Sequence, residues 1–278
     1  MNKTVLMLAL VSFLSVSLLV SNSYALGTSG RSGFMMLNSS DLIGAFVRDY
    51  AGEFAGIVNE VMIDSGGHAF AIVNHGDYGL YGEEGANTPV PFEALRISQT
   101  KSGEEKVVFK MDAERLDFGP YLDPTNPINR QREADIYLHY GIEPYWIGSR
   151  TAEKGELKEF NSLNLVSAAV ENSCGKVIGI VKEVMVDSGG HAFAVINHGD
   201  YDIFGENGVN TPVPFEELRI SQTKGGQDVV FLKTDTEHLD FAPYLGYPLK
   251  TNSRQYEASI YEFYGIQPYW TRSGELSK

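Results

Sequence analysis

The chain repeats itself, and this repeat constrains its fold more than any other feature of the sequence. Four blocks recur unchanged at an offset of 123 residues: 64–71, 74–78, 87–93 and 95–101 return at 187–194, 197–201, 210–216 and 218–224. The alignment predicts an offset of 122 at Val107 and Val229, and of 124 at Trp146 and Trp270. A unit of roughly 110 residues has the size of a whole domain, larger than the repeat of a solenoid. We therefore expect two tandem copies of one domain.

The limits of the copies follow from the composition between them. We place the first domain at 39–148 and the second at 162–272. The segment 149–161 is polar and rich in charge, which predicts an exposed linker, and the glycine-bearing segment 26–38 predicts a flexible leader. If the linker prediction holds, a cut within it should leave two separately folded halves.

Each copy begins with short β-branched segments and ends with a helical pattern. The predicted strands of the first copy are 55–63, 68–73, 90–92, 95–98 and 107–111. Strands this closely spaced, with no helix pattern between them, predict a small antiparallel barrel. Residues 129–140 predict a helix with Ala134, Tyr137 and Tyr140 on one face, and we expect Tyr145 and Trp146 to pin this tail to the barrel. The predicted fold is mainly β with short helices: two tandem small antiparallel β-barrels, each with a short helical tail.

The charge balance and the cysteine count exclude several functions. The chain has 22 Lys and Arg against 36 Asp and Glu, a formal charge of −14, and one cysteine. An acidic chain lacks the cations for sequence-independent nucleic-acid binding, and the composition also disfavours adhesion to an anionic membrane through a basic patch. One cysteine cannot form an intramolecular disulfide or a thiolate zinc site. The sequence implies no cofactor.

The first 25 residues have the order of an export signal. Lys3 is followed by an apolar run from Thr4 to Val20 and by a polar stretch that ends in Ala25. This pattern predicts a cleaved signal peptide at 1–25, and the alternative is a single membrane anchor. No other stretch is long and apolar enough to span a bilayer, so we expect no transmembrane segment after cleavage. The product is then exported, either to the periplasm or to the extracellular space.

The repeated blocks hold candidates for a metal site. They are His68, His75 and Asp77 in the first copy, with His191, His198 and Asp200 in the second. Metal binding needs ligands that converge on one point, whereas histidines seven residues apart on a strand lie on opposite faces. The competing interpretation, which we favour, is that each histidine bonds the local backbone of a turn. On that interpretation the chain has no metal site, and no pattern in it indicates a catalytic site.

The order of these segments resembles that of the PRC-barrel domain family. DLIG at 41–44, the strand pattern at 52–64 and PVPFEAL at 89–95 carry the resemblance, which extends over 39–118 and 162–241. The resemblance implies a six-stranded barrel that serves as a protein-docking or assembly module, without catalytic residues. We therefore expect an exported, non-enzymatic docking protein of the bacterial cell envelope, whose partner is an unidentified envelope protein or a second copy. The alternative is a periplasmic protein that binds a metal or a small ligand through the repeated His and Asp blocks.

Overall fold

A computed structural model describes most of the chain. The described residues are 36–76, 85–99, 105–121, 129–146, 158–199, 208–223, 227–233, 236–245 and 254–272. The predicted signal segment lies outside them. The described residues form two seven-stranded sheets of the same strand order, and residues Gly33–Lys278 make up one compact unit. The predicted class, mainly β with short helices and two tandem barrel-like domains, is confirmed.

The first sheet, barrel 1, is a mixed sheet. A leading strand, β1 (Met36–Asn38), lies outside it. The sheet contains β2 (Phe46–Arg48), β3 (Phe54–Asp64), β4 (Ala69–His75), β5 (Ala86–Pro91), β6 (Leu95–Gln99) and β7 (Glu105–Phe109). Its order is β5-β4-β3-β2-β7-β6, and the β2–β7 pair is parallel. The prediction of a purely antiparallel barrel is therefore wrong at this pair. β7 is paired antiparallel with β6 and reaches β2 only after the four strands β3 to β6, so no hairpin joins β2 to β7.

The second sheet, barrel 2, repeats this topology. A short strand, β8 (Glu159–Asn161), precedes it, and the sheet contains β9 (Ala169–Glu171), β10 (Val177–Asp187), β11 (Ala192–His198), β12 (Val209–Pro214), β13 (Leu218–Gln222) and β14 (Asp228–Leu232). Ile97 pairs with Val107 in barrel 1, and Ile220 pairs with Val230 in barrel 2. The structural counterpart of Val107 is thus Val230, and the predicted offset of 122 at Val229 is wrong. Burial of the side chain distinguishes the two adjacent valines, and the sequence alone does not.

Short helices close each unit. They are α1 (Ser39–Leu42), α2 (Glu114–Asp117), α3 (Arg130–His139), α4 (Ser162–Leu165), α5 (Thr236–Asp240), α6 (Arg254–Phe263) and α7 (Tyr269–Arg272). The side chain of Asn129 caps α3 by accepting from two backbone N–H groups of its first turn, which explains why the helix begins there. The buried face of α3 consists of Glu133, Ile136 and Tyr137, and Ala134 is only partly buried. Of the three residues predicted to share one face, Tyr137 and Tyr140 are buried. The carboxyl group of Glu133 is also buried on this helix, which the sequence analysis did not predict.

The two barrels exchange their leading strands. β1 precedes barrel 1 but pairs with β10 of barrel 2, and β8 precedes barrel 2 but pairs with β3 of barrel 1. Asn38 donates to Glu183 at 2.7 Å, and its counterpart Asn161 donates to Glu60 at 2.9 Å. The ends of the predicted leader and linker are therefore strands of the opposite sheet.

The turns that follow β3 and β10 also meet, and we call their contact the junction. The N–H of Ala69 donates to the carbonyl of Gly190, and the N–H of Ala192 donates to the carbonyl of Gly67, both at 2.8 Å. His68 and His191 form an isolated antiparallel bridge between these turns. Reciprocal contacts of this kind are those of an interface with twofold symmetry. We therefore expect the barrels to fold as one unit, in contrast to the separable halves that the linker composition predicts.

Candidate functional site

A buried polar cluster lies on each side of the junction, and we call the pair of clusters the polar centre. In barrel 1 it begins with Asp64, the last residue of β3, which is fully buried. Its Oδ1 accepts from the N–H groups of Gly66 and His68, both at 2.8 Å. Its Oδ2 accepts from the hydroxyl of Tyr145 at 2.5 Å. The turn and the tail of the unit are thus held by the two oxygens of one carboxylate.

The tail completes this cluster. The ring of Tyr145 stacks on His68 with centroids 3.3 Å apart. Arg130 of α3 donates to the Tyr145 oxygen at 2.9 Å and to Glu133 at 3.1 Å, and its guanidinium lies 4.5 Å from the centre of the Trp146 ring. The prediction that Tyr145 and Trp146 pin the tail to the barrel is confirmed.

Barrel 2 builds the same cluster from the second copy. Its members are Asp187, His191, Arg254, Glu257 and Tyr269. Tyr269 donates to Asp187 at 2.5 Å and stacks on His191 with centroids 3.4 Å apart. The His68 and His191 rings lie 4.6 Å apart across the junction, so the two clusters are continuous.

Burial determines the protonation of the carboxyl groups in the polar centre. Burial raises the pKa of Glu133, and the negative charge of Asp64 raises it further. The pKa of Glu257 is raised by burial and by Asp187 in the same way. Burial, with the charge of Asp187 adding to it, also raises the pKa of Glu93 to about 7. The raised pKa values favour the neutral forms of Glu133 and Glu257, which lowers the like-charge repulsion within the two buried clusters beside the junction.

His75 belongs to a separate cluster. Its Nε2 lies 2.8 Å from the hydroxyl of Thr88, and its Nδ1 lies 3.2 Å from Asp117. Burial lowers the pKa of His75, against the opposing effect of Asp117. The order Thr, His, Asp is that of a nucleophile, a base and an orienting carboxylate, but Thr88 is fully buried, so a substrate has no access to its hydroxyl. The cluster ties α2 to the barrel, and His198 does the same between Thr211 and Asp240.

The structure therefore separates the residues that the sequence singled out as metal candidates. His68 and His191 lie at the junction, whereas His75 and His198 contact the helices after β7 and β14. Asp77 and Asp200 lie outside the described residues. Within the described part of the chain, no group of three or more His, Cys, Asp or Glu side chains is arranged to hold a metal ion. Neither His75 nor His198 follows the expected pattern of bonding to local backbone, since each ring contacts side chains far along the chain.

Two surface features that sequence reasoning missed carry exposed aromatic rings. The first occurs in both copies: Phe118 and Phe241 are 80% and 82% exposed, and Tyr121 and Tyr244 follow three residues later. The exposed carboxylates of Asp117 and Asp240 stand directly before the phenylalanines. We call these two places the acidic–aromatic sites. The repeated sequence LDFxPYL at 116–122 and 239–245 was the signal that could have found them, because it retains aromatic residues that no core requires.

The second feature occurs in barrel 1 alone. Phe46, Tyr50 and Phe54 are 63%, 65% and 44% exposed on β2, β3 and the turn between them. Arg48, Arg96 and Lys106 are exposed on the outer side of β2, β6 and β7. We call this set the aromatic–basic face. In barrel 2 the aromatic positions hold Ala169, Ser173 and Val177, and part of the equivalent surface is a shallow cavity of about 680 Å³ bordered by Ser173 and Phe231.

Comparison with known families identifies the fold. Residues 35–116 match the family model of the PRC-barrel domain. Residues 35–116, which hold barrel 1, thus form a PRC-barrel domain. Barrel 2 lies outside the match but has the same strand order. No curated protein matches the sequence. Among the described residues, no helix has the length and apolarity needed to cross a membrane.

Proposed function

We propose that this protein is an exported, non-enzymatic docking module of the bacterial cell envelope. The export half of the proposal rests on the signal-like order of residues 1–25. The docking half rests on one observation above all, the repetition of the acidic–aromatic site in both barrels with its phenylalanine about four-fifths exposed. The match of residues 35–116 to the PRC-barrel domain supports it, because the resemblance to that family implies a docking or assembly role.

The chemistry of these sites favours a basic or mixed protein partner. Exposed aromatic side chains are the residues that most often anchor protein interfaces, and an adjacent carboxylate selects for cationic groups. Asp117 is held by His75, and Asp240 is held by His198, so each carboxylate is fixed before a partner arrives. The reciprocal junction places the two sites on one body. A partner with two binding segments, or a dimeric one, would gain affinity from both sites at once.

The test compares partners captured by matched variants. Residues 26–278 serve as bait in an envelope extract, and bound proteins are quantified by mass spectrometry for the wild type, for Phe118→Ala and for the double variant Phe118→Ala/Phe241→Ala. We expect a partner that the single variant binds more weakly and the double variant loses. Leu138→Ala removes an apolar side chain of α3 that is 60% exposed and is the control. Recovery of monomer alone from the wild type, or equal capture by the double variant, would refute the proposal.

A further inference from the structure

The aromatic–basic face is a continuous surface across four strands. Cross-strand pairing places Phe54 beside Arg48, Arg48 beside Val108, and Val108 beside Arg96, in one row on the outer side of the sheet. A second row follows, in which Phe46 pairs with Ile57 and Lys106 pairs with Ser98.

The charged residues in these two rows are all cations, namely Arg48, Arg96 and Lys106. Within the described residues, neither Arg48, Arg96 nor Lys106 lies within ion-pair distance of a carboxylate. The exposed acid of the adjoining turn is Glu53. In barrel 2 the position of Arg48 holds Glu171, and the position of Lys106 holds Val229. Three cations among exposed aromatic rings, in a chain of formal charge −14, mark this face as a binding site for a negatively charged surface.

We propose that the aromatic–basic face attaches the protein to an anionic lipid bilayer. Phenylalanine and tyrosine rings partition into the interfacial layer of a bilayer, and cations nearby pair with anionic headgroups. Phe46 and Phe54 contact each other edge to face at 5.9 Å, and Tyr50 is exposed in the turn between their strands. A soft interface accepts exposed rings of this kind without a matching pocket.

The acidic composition of the chain does not oppose this attachment at short range. Charges farther away than about 8–10 Å are largely screened at physiological ionic strength, so the local cations dominate when the face touches a membrane. The sequence-based expectation that membrane adhesion is disfavoured relied on the net charge of the whole chain. The fold brings Arg48, Arg96 and Lys106 together on one surface, and the net charge does not show this local positive charge. The attachment goes beyond the proposed docking function, because it uses a different surface.

The geometry also gives the attachment a direction. The face uses the first half of β3, whereas β8 pairs with Met62, Ile63 and Asp64 at the other end of that strand. The junction therefore lies at the end of β3 opposite to the face, and the attachment uses barrel 1 alone.

The test is co-sedimentation of residues 26–278 with lipid vesicles. This form keeps every described residue and removes the apolar segment 4–20, which would itself bind lipid. We expect binding to vesicles of phosphatidylglycerol and phosphatidylcholine, little binding to phosphatidylcholine alone, and weaker binding as salt is raised. Each cation should contribute about fivefold in the partition coefficient, so Arg48→Ala should weaken binding by about that factor.

The matched variant is taken from the protein itself. Phe46→Ala/Tyr50→Ser/Phe54→Val gives barrel 1 the residues that barrel 2 carries at the same positions, so we expect it to fold and to bind vesicles at least tenfold more weakly. Phe118→Ala/Phe241→Ala should bind vesicles like the wild type, which separates this proposal from the docking function.

Three results would overturn the attachment. One is the absence of wild-type binding to anionic vesicles at low salt, and another is equal binding by the triple variant. The third is binding to soluble polyglutamate but not to vesicles, which would assign the face to an acidic protein.

Discussion

Replacing Gly190 by alanine tests the junction most directly. Gly190 has φ +84, and a Cβ there would lie 3.0 Å from the Cβ of Phe92 and 3.4 Å from the carboxylate of Glu93, both in the opposite barrel. A left-handed conformation costs a residue with a Cβ about 1–2 kcal/mol. Overpacking adds about 1–3 kcal/mol, because the Cβ of Phe92 is fixed to the backbone and the clash is relieved only if the turn at Gly190 moves away from barrel 1. We therefore expect the free energy of unfolding to fall by about 2–5 kcal/mol.

The assay is urea unfolding followed by circular dichroism, with Gly265→Ala as the control. Gly265 lies in the same barrel with φ +67, but no atom lies within 4 Å of the position of its Cβ. The control should therefore lose only the backbone contribution of about 1–2 kcal/mol. If Gly190→Ala costs no more than Gly265→Ala, the turn at Gly190 does not pack closely against barrel 1, and the argument for a tight junction fails.

Three further predictions concern the polar centre and the linker. Tyr145→Phe removes the donor to Asp64 and should lower the free energy of unfolding by about 1–3 kcal/mol in the same urea assay, whereas Tyr121→Phe, at an exposed hydroxyl, should leave it nearly unchanged. Because the pKa of Glu93 is raised to about 7 in the folded state, its contribution to stability is fully present below its ordinary pKa and is lost as the pH rises through 7. Wild-type stability measured from pH 5 to pH 8 should thus fall by about 3 kcal/mol more than that of Glu93→Gln, and parallel curves would contradict this. A protease site placed in 149–157 should, once cut, leave halves that elute together in gel filtration and unfold in one transition, and separate elution would refute the strand exchange.

The local parts of the fold could be predicted from sequence because their signals are local. The hairpin of β3 and β4 lies where β-branched runs flank a Gly-Gly turn, and Asn129 caps α3 as its composition suggests. The exchanged strands β1 and β8 could not be predicted, because each has three residues and its partner lies far along the chain. Such short strands have no periodicity to detect.

Only part of the polar centre could be predicted from the sequence. The repeat drew attention to Asp64 and His68, but it suggested metal ligation or local turns and not the partners that the structure shows. Those partners carry a signal that was overlooked: Arg130 and Glu133 are three residues apart, and Arg254 and Glu257 repeat the same pair. The sequence alone does not show that the carboxyl group of Glu133 is buried, because its burial depends on the barrel residues against which the helix packs.

The exchange of leading strands affects how the chain folds while the ribosome is still synthesising it. β1 is among the first described elements to be synthesised. Its Asn38 can bond to Glu183 only after 145 further residues have been added, and Glu60 can bond to Asn161 only after 101 further residues. Pairing over such separations raises the contact order, which slows folding. Until β10 has been synthesised, Met36 and Leu37 have no sheet to cover them. A chain truncated before β10 therefore exposes the apolar residues of β1, and we expect chaperones and proteases to bind such an incomplete chain.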